Sequence, residues 1–297
     1  MSVKVLFLTA LAFASTGCAT AAAPEPPAAP AWSEWTAQCT DWDEWDKPAP
    51  PWRIHGDTYY VGTCGIAAIV IAGDDGHVLI DTGTEAGADV VLANIRRLGF
   101  EPADIRVILA SHEHPDHIGG LAKMQLATGA RIEAGQILSQ AIETGLPQPG
   151  DPQTGLFEPM APATVSRVVE PRGVVSVGDI RVTYIPSPGH TPGAASWTWQ
   201  SCEGAECVSV VYADSLSPVS SDEYRFSGHP DYVAAYRASL ADVAALDCDL
   251  LLTPHPSASQ MPKRMGEGSF IDGDACKAYA MGIETRLSER LAKEAAQ

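Results

Sequence analysis

Basic residues are scarce in this chain. It has 19 Lys and Arg against 37 Asp and Glu, a formal net charge of −18. Nucleic-acid binders place Lys and Arg where this chain places acids, so a phosphate-backbone partner is excluded. The acidity keeps the chain soluble. A membrane span is also missing. The apolar run Val5–Ala14 is too short to cross a bilayer. With Lys4 before it and small residues after it, this run reads as a secretory leader. Two processing sites compete. Ala19-Thr20-Ala21 suits cleavage after residue 21, whereas Ser15-Thr16-Gly17-Cys18 resembles a lipoprotein box that would leave a lipid anchor at Cys18. Serine stands where that box expects leucine. Removing residues 1–17 removes Lys4 and no acid, leaving 18 bases and 37 acids, a net charge of −19. Residues 22–31 are rich in Ala and Pro and read as a flexible tether. One domain over 32–297 is expected, periplasmic or secreted and monomeric.

The cysteines leave none to spare. Seven minus Cys18 is six, an even number suited to an oxidising compartment. Cys202 and Cys207 are separated by four residues, a spacing that suits pairing across a hairpin.

The pattern of apolar residues gives two successive blocks of strands followed by helices. The first block reads as strands at Thr58–Val61, Ala67–Ile71, His77–Asp81 and Ile105–Ala110, with a turn at Asp74-Asp75-Gly76. Helical spacing covers Glu85–Leu98, with Gly99 placed to end it, then Gly120–Thr128 and Gln136–Thr144. The second block has strands at Val174–Val177, Ile180–Ile185, Ser196–Trp199, Cys207–Tyr212 and Asp249–Thr253, with helices at Asp231–Leu246 and Gly273–Ala296. Two facing sheets with helices outside would bury both sets. Residues 32–52 hold Trp32, Trp35, Trp42, Trp45 and Trp52 beside Pro48, Pro50 and Pro51. They predict an irregular arm packed on the core rather than a helix. Leu146–Thr164 lacks helical or strand period and reads as a binding loop, with Phe157 and Met160 as its apolar members.

One stretch carries the chemistry. Ser111-His112-Glu113-His114-Pro115-Asp116-His117 follows the buried strand Ile105–Ala110 and packs three histidines and an aspartate into six positions. So many titratable groups are costly at a partly buried site without a cation. Imidazole nitrogen and carboxylate oxygen suit zinc. His112 and His114, two apart, can grip one ion, while Asp116 and His117 suit a second. Glu113 reads as solvent-facing. His190 in Pro188-Gly189-His190-Thr191-Pro192-Gly193 and His255 between Pro254 and Pro256 also follow strands. His55, His77 and His229 read as ordinary surface or core histidines. Asp81, ending a neighbouring strand, is placed to accept an N–H from a ligating histidine.

HxHxDH after a strand is similar to the signature of the metallo-β-lactamase superfamily. With Leu79-Ile80-Asp81-Thr82-Gly83, the His190 turn, Ala213-Asp214-Ser215-Leu216-Ser217 and Thr253-Pro254-His255-Pro256, the chain resembles the third subclass of class B metallo-β-lactamases. The resemblance implies an αββα sandwich. It implies two zinc ions per chain, one held by His112, His114 and His190, the other by Asp116, His117 and His255. A hydroxide on the metals would open a β-lactam ring, with Asp116 orienting the water that protonates the nitrogen, and so confer resistance. Ser215 and Ser217 would serve the second-zinc environment and the substrate carboxylate. Some relatives also pair the equivalents of Cys39–Cys64 and Cys248–Cys276. The superfamily's lactonases and thiolester hydrolases place a metal-bridging aspartate near Asp214, so a secreted di-zinc lactonase or thiolesterase is the competing expectation.

Overall fold

The computed structural model describes Met1, residues 32–266 and residues 271–296. The expected leader, tether and lipid-anchor position therefore lie outside the described residues.

Two sheets form the body. The first holds seven strands in sequence order: β1 (Trp52–His55), β2 (Thr58–Tyr60), β3 (Ile69–Ile71), β4 (His77–Ile80), β5 (Ile105–Leu109), β6 (Arg131–Ala134) and β7 (Val165–Val168). Pairing is antiparallel from β1 to β4 and parallel from β4 to β7. The second sheet holds β8 (Val174–Val177), β9 (Ile180–Pro186), β10 (Ala195–Glu203), β11 (Glu206–Tyr212) and β12 (Leu250–Leu252). It is antiparallel except where β12 lies parallel to β11.

Period-2 alternation explains the layering, since successive side chains leave a strand on opposite faces. Ile69, Ile71, Val78 and Ile80 join Val210, Tyr212, Leu250 and Leu252 in the core between the sheets. Val70 and Leu79 face the other way, onto the helices Gly87–Arg97, Leu121–Thr128 and Gln136–Thr144. Val211 and Leu251 face outward onto Pro230–Ala244 and Ala275–Ala295. Strands buried on both faces read as continuous apolar runs, as these do. The αββα sandwich expected from the sequence is the fold observed.

Several details differ from the sequence reading, among them the strand β1 and the helix Met261–Gly266, which it lacked. Trp32–Gln38, expected to be irregular, is a short helix; Trp35 buries fully from it, edge-on to Tyr60 at 6.0 Å. β6 and β7 are added strands; parallel pairing to a central neighbour forms them despite their brevity. Pro115–Ile118, inside the motif, forms one helical turn, with Pro115 at its start, where a missing N–H costs nothing.

All three disulfides are present: Cys39–Cys64, Cys202–Cys207 and Cys248–Cys276. The first ties the tryptophan-bearing arm to the first sheet. The second pairs residues directly opposite in the β10–β11 ladder. The third ties the closing helix to the segment entering β12.

Candidate metal centre

The site lies where β4, β5, β9, β11 and β12 end. Each of those strands hands over to a short loop that carries one functional group or more: Asp81, His112 to His117, His190, Asp214 and His255. Carboxyl ends of strands in α/β sheets are the usual place for such groups. The motif is pinned to the opposite sheet. Trp197 Nε1 donates to the Ala110 carbonyl at 2.9 Å, and Ala195 N donates to that of Ser111 at 2.6 Å.

His112, His114 and His190 converge, each offering a nitrogen within 4.8 Å of the others. His112, Asp116 and His117 form a second such group. His255 joins this second group through Nε2, 3.2 Å from Asp116 Oδ2. His117 Nε2 lies 3.0 Å from the same oxygen. Thus all six expected donors meet in one place.

What stands behind each imidazole decides which nitrogen faces inward, because a carboxylate or carbonyl accepts only from N–H. His112 Nδ1 faces Asp214 Oδ1 at 2.8 Å, leaving a buried Nε2 with no hydrogen-bond partner. His190 Nδ1 donates to the Ser217 carbonyl at 2.9 Å. His114 is turned the other way: Nε2 donates to Asp151 Oδ2 at 3.1 Å, so Nδ1 faces inward. His117 Nδ1 lies 3.5 Å from Asp81 Oδ2. Asp81 is itself fixed by Ser111 N, Ser111 Oγ and Tyr212 Oη, each at 2.7 Å. It adopts a left-handed φ of +62°, a conformation Asp tolerates better than most residues. Its contact with His117 is at an ion-pair distance, without a hydrogen bond from Nδ1.

The electrostatics demand a cation. Five acids, Asp81, Glu113, Asp116, Asp151 and Asp214, are buried around the cluster. Among the described residues, no lysine or arginine forms an ion pair with any of them. Burial, then the neighbouring imidazoles, holds His112 well below the usual imidazole range, and burial with His114 pushes His190 down to about 3. Burial also depresses His117, but Asp116 and Asp81 outweigh it and lift its pKa to about 10. His112 and His190 thus offer neutral donors, and His117 holds a positive charge in place. Burial raises Asp214 well above the carboxylate range.

Other residues depart from the sequence reading. Glu113, expected in solvent, is 2% exposed; it accepts from Thr191 Oγ1 and from Gly193 N at 2.9 Å. Ser217 lies against His190, its Oγ 3.2 Å from Nδ1, and so belongs to the first group rather than the second. Ser215 Oγ is buried without a hydrogen-bond partner. Leu146–Thr164 has no helix or strand, as expected, and it contributes more than apolar cover. Besides Asp151, it places Gln153 Nε2 3.5 Å from His114 Nδ1 and 3.4 Å from His190 Nε2, and the Phe157 ring 4.9 Å from that of His114. Met160 packs instead against the helical core. From the arm, Trp42 and Trp45 stand exposed with ring centroids 6.1 and 6.3 Å from that of His255. The arm therefore both packs the core and edges the site. A cleft beside Asp116 is lined by Trp45, Thr84, Pro115, Glu158 and Met160. His55 faces Ser201, His77 packs on Phe100, and His229 stacks on Tyr224.

A two-sheet sandwich with histidines and one aspartate gathered at its strand ends defines a metallohydrolase-type centre. Comparison with known proteins agrees. Residues 61–255 match the family model of the metallo-beta-lactamase superfamily. The structure of MIM-2 metallo-beta-lactamase is 52% identical, covering 88% of this chain and 97% of that one, with a TM-score of 0.85. MIM-1 from Novosphingobium pentaromativorans is 48% identical, covering 89% and 98%, with a TM-score of 0.86. MEM-A1, a subclass B3 metallo-beta-lactamase from a soil metagenome library, is 40% identical, covering 85% and 99%, with a TM-score of 0.83. Among curated proteins, a hydroxyacylglutathione hydrolase of Anaeromyxobacter dehalogenans is 27% identical over 80% of this chain and 73% of its own length. The chain belongs to the metallo-beta-lactamase superfamily and groups within it with the subclass B3 enzymes.

Proposed function

We propose that this chain is a di-zinc β-lactamase that hydrolyses the amide bond of the β-lactam ring. The observation that carries this is the convergence of five histidines and one aspartate, with His112 Nε2 buried and without a hydrogen-bond partner, in a chain 52% identical to a metallo-beta-lactamase over most of its length. His112, His114 and His190 would hold one zinc, and Asp116, His117 and His255 the other. Such ions, when bound, supply a water acidified to a pKa of roughly 7 and a Lewis acid for the carbonyl.

The protein's own contribution is orientation. Asp214, Asp151 and the Ser217 carbonyl fix the three imidazoles of the first group. Asp116, touching His117 and His255, is placed to direct a proton toward the ring nitrogen as it leaves. Phe157, Trp42 and Trp45 offer apolar walls to the substrate's substituents, and Ser215 and Ser217 offer hydroxyls to its carboxylate.

The second reading, a lactonase or thiolester hydrolase, draws support from the likeness to hydroxyacylglutathione hydrolase. Asp214 argues against it: its carboxylate lies behind His112, not between the two metal-binding groups. Among the described residues, no helix is long and apolar enough to cross a membrane. Three disulfides suit an exported, oxidised protein, which we read as a periplasmic or secreted domain beginning near residue 32. Hydrolysis of nitrocefin, lost with a chelator and restored by zinc, tests the activity. A zinc-loaded protein that cleaves a thiolester or lactone but leaves nitrocefin intact overturns it.

A further inference from the structure

Glu113 occupies a position the HxHxDH pattern leaves free, yet its carboxylate is buried between two loops. Oε2 accepts from Thr191 Oγ1, and Oε1 accepts from Gly193 N. These partners follow His190, one and three residues on, in the turn Ser187–Ala194, while Glu113 itself lies between His112 and His114. One side chain thus joins the two loops that supply the whole first donor group.

The turn is built to receive it. A Cβ on Gly193 would stand 2.8 Å and 3.0 Å from the two carboxylate oxygens and 2.8 Å from Leu138 N, so glycine lets the turn sit against both. From the opposite side, helix Pro230–Ala244 closes on the turn. A Cβ on Gly189 would meet the Tyr236 ring at 2.5 Å. Tyr232 Oη donates to the Gly189 carbonyl at 3.1 Å, and Ser239 Oγ donates to that of Pro188 at 2.8 Å. The helix fixes how deep the turn sits. Glu113 fixes how far it stands from the motif, and so the distance from His190 to His112 and His114.

Taking the histidine cluster as a metal centre, we propose that Glu113 is a positioning residue that latches His190 onto the motif and so sets the affinity of the three-histidine metal site. A latched turn has already lost the freedom that metal binding would otherwise remove. Loss of a partner that orients ligands typically weakens metal binding by roughly 10–100-fold, and a latch one step further out belongs at the low end of that range.

The test is zinc titration of the purified, metal-stripped protein against a chromophoric chelator. The wild type is compared with Glu113→Ala, Glu113→Gln and Thr191→Val, with the two sites assigned by His190→Ala and His255→Ala. Glu113→Ala and Thr191→Val should weaken the site that His190→Ala destroys by roughly tenfold and spare the other. Glu113→Gln should recover most of the loss, because its amide accepts from Gly193 N and donates to Thr191 Oγ1. Cobalt substitution should show a changed visible spectrum for that site alone. Unchanged affinities in folded variants overturn the latch, as does equal weakening of both sites in step with lost thermal stability. Should Glu113→Ala fail to fold, Thr191→Val decides by the same criteria. A wild type that binds no zinc overturns the metal reading itself, and the latch with it; a wild type that binds two while the variants match it overturns the latch alone.

Discussion

Asp214 Oδ1 stands 2.8 Å from His112 Nδ1, with both side chains fully buried. Its other oxygen accepts from Leu216 N at 3.1 Å. The carboxylate is therefore committed to the back of the imidazole and to its own turn. Asp214→Ala should leave a buried N–H unsatisfied, a cost of about 1–3 kcal/mol, and weaken zinc at the first site by roughly 10–100-fold. Asp214→Asn keeps an acceptor oxygen and should cost less than tenfold. Chelator competition measures both. If Asp214 bridged two metals instead, the Asn variant would lose a zinc as completely as the Ala variant.

Proton release should separate the two sites. With His117 lifted to about 10 by Asp116 and Asp81, its proton must leave before a metal can take the nitrogen. Zinc binding at that site should therefore strengthen by roughly tenfold per pH unit between about 6 and 9, because ligands bind deprotonated. His190, held to about 3, is already neutral there and gives up no proton on binding, so the first site should depend on pH less steeply. In the metal-free protein the same His117 pairing adds stability present below about 6.5 and lost as pH rises through about 10. Calorimetric titration in buffers of different ionisation enthalpy counts the protons. Equal proton release at both sites would contradict the assignment.

Much of the fold was legible because its strands are apolar on both faces: Ile69-Val70-Ile71 can only be read as buried. The donors were legible because zinc chemistry limits which residues can serve. Of the residues behind them, Asp81 was singled out, but the acceptors Asp151 and Asp214 were not. Asp151 lies 37 positions from His114 and Asp214 lies 102 from His112, and nothing local marks either as an acceptor. Glu113 read as solvent-facing because a carboxylate beside two histidines gives no sign of the turn, 78 positions on, that closes over it. The helix Trp32–Gln38 was obscured by the prolines that follow it.

Trp42 and Trp45 should affect binding more than turnover. Large exposed indoles beside a metal group bury surface only when a ligand arrives. Trp42→Ala and Trp45→Ala should each raise KM several-fold, since each Å² of apolar surface the ligand no longer covers costs about 25 cal/mol, with kcat within about twofold. A fall in kcat with unchanged KM would mean that the rings act through His255 instead. Zinc content, unchanged in both variants, provides the control.

Reduction of the disulfides should lower stability before it lowers metal content. Cys39–Cys64 and Cys248–Cys276 span 25 and 28 residues, and closing loops of that length contributes roughly 2–4 kcal/mol each. Neither bond touches a donor. Cys248–Cys276 holds the closing helix to the chain entering β12, three residues beyond which lies His255. Cys39–Cys64 anchors the arm that brings Trp42 and Trp45 over the same histidine. Damage to the site should thus be indirect and fall on the His255 side first. Thermal melts with and without reductant, paired with zinc content at a temperature below both transitions, separate the two effects. Zinc should stay near two per chain while the melting temperature drops by several degrees. Thiol titration of the denatured, unreduced domain should find none of the six cysteines free. Two or more free thiols would mean that sulfur serves the metal centre, and zinc lost on mild reduction of the folded protein would mean that the bonds support the site more directly than their distance from the donors suggests.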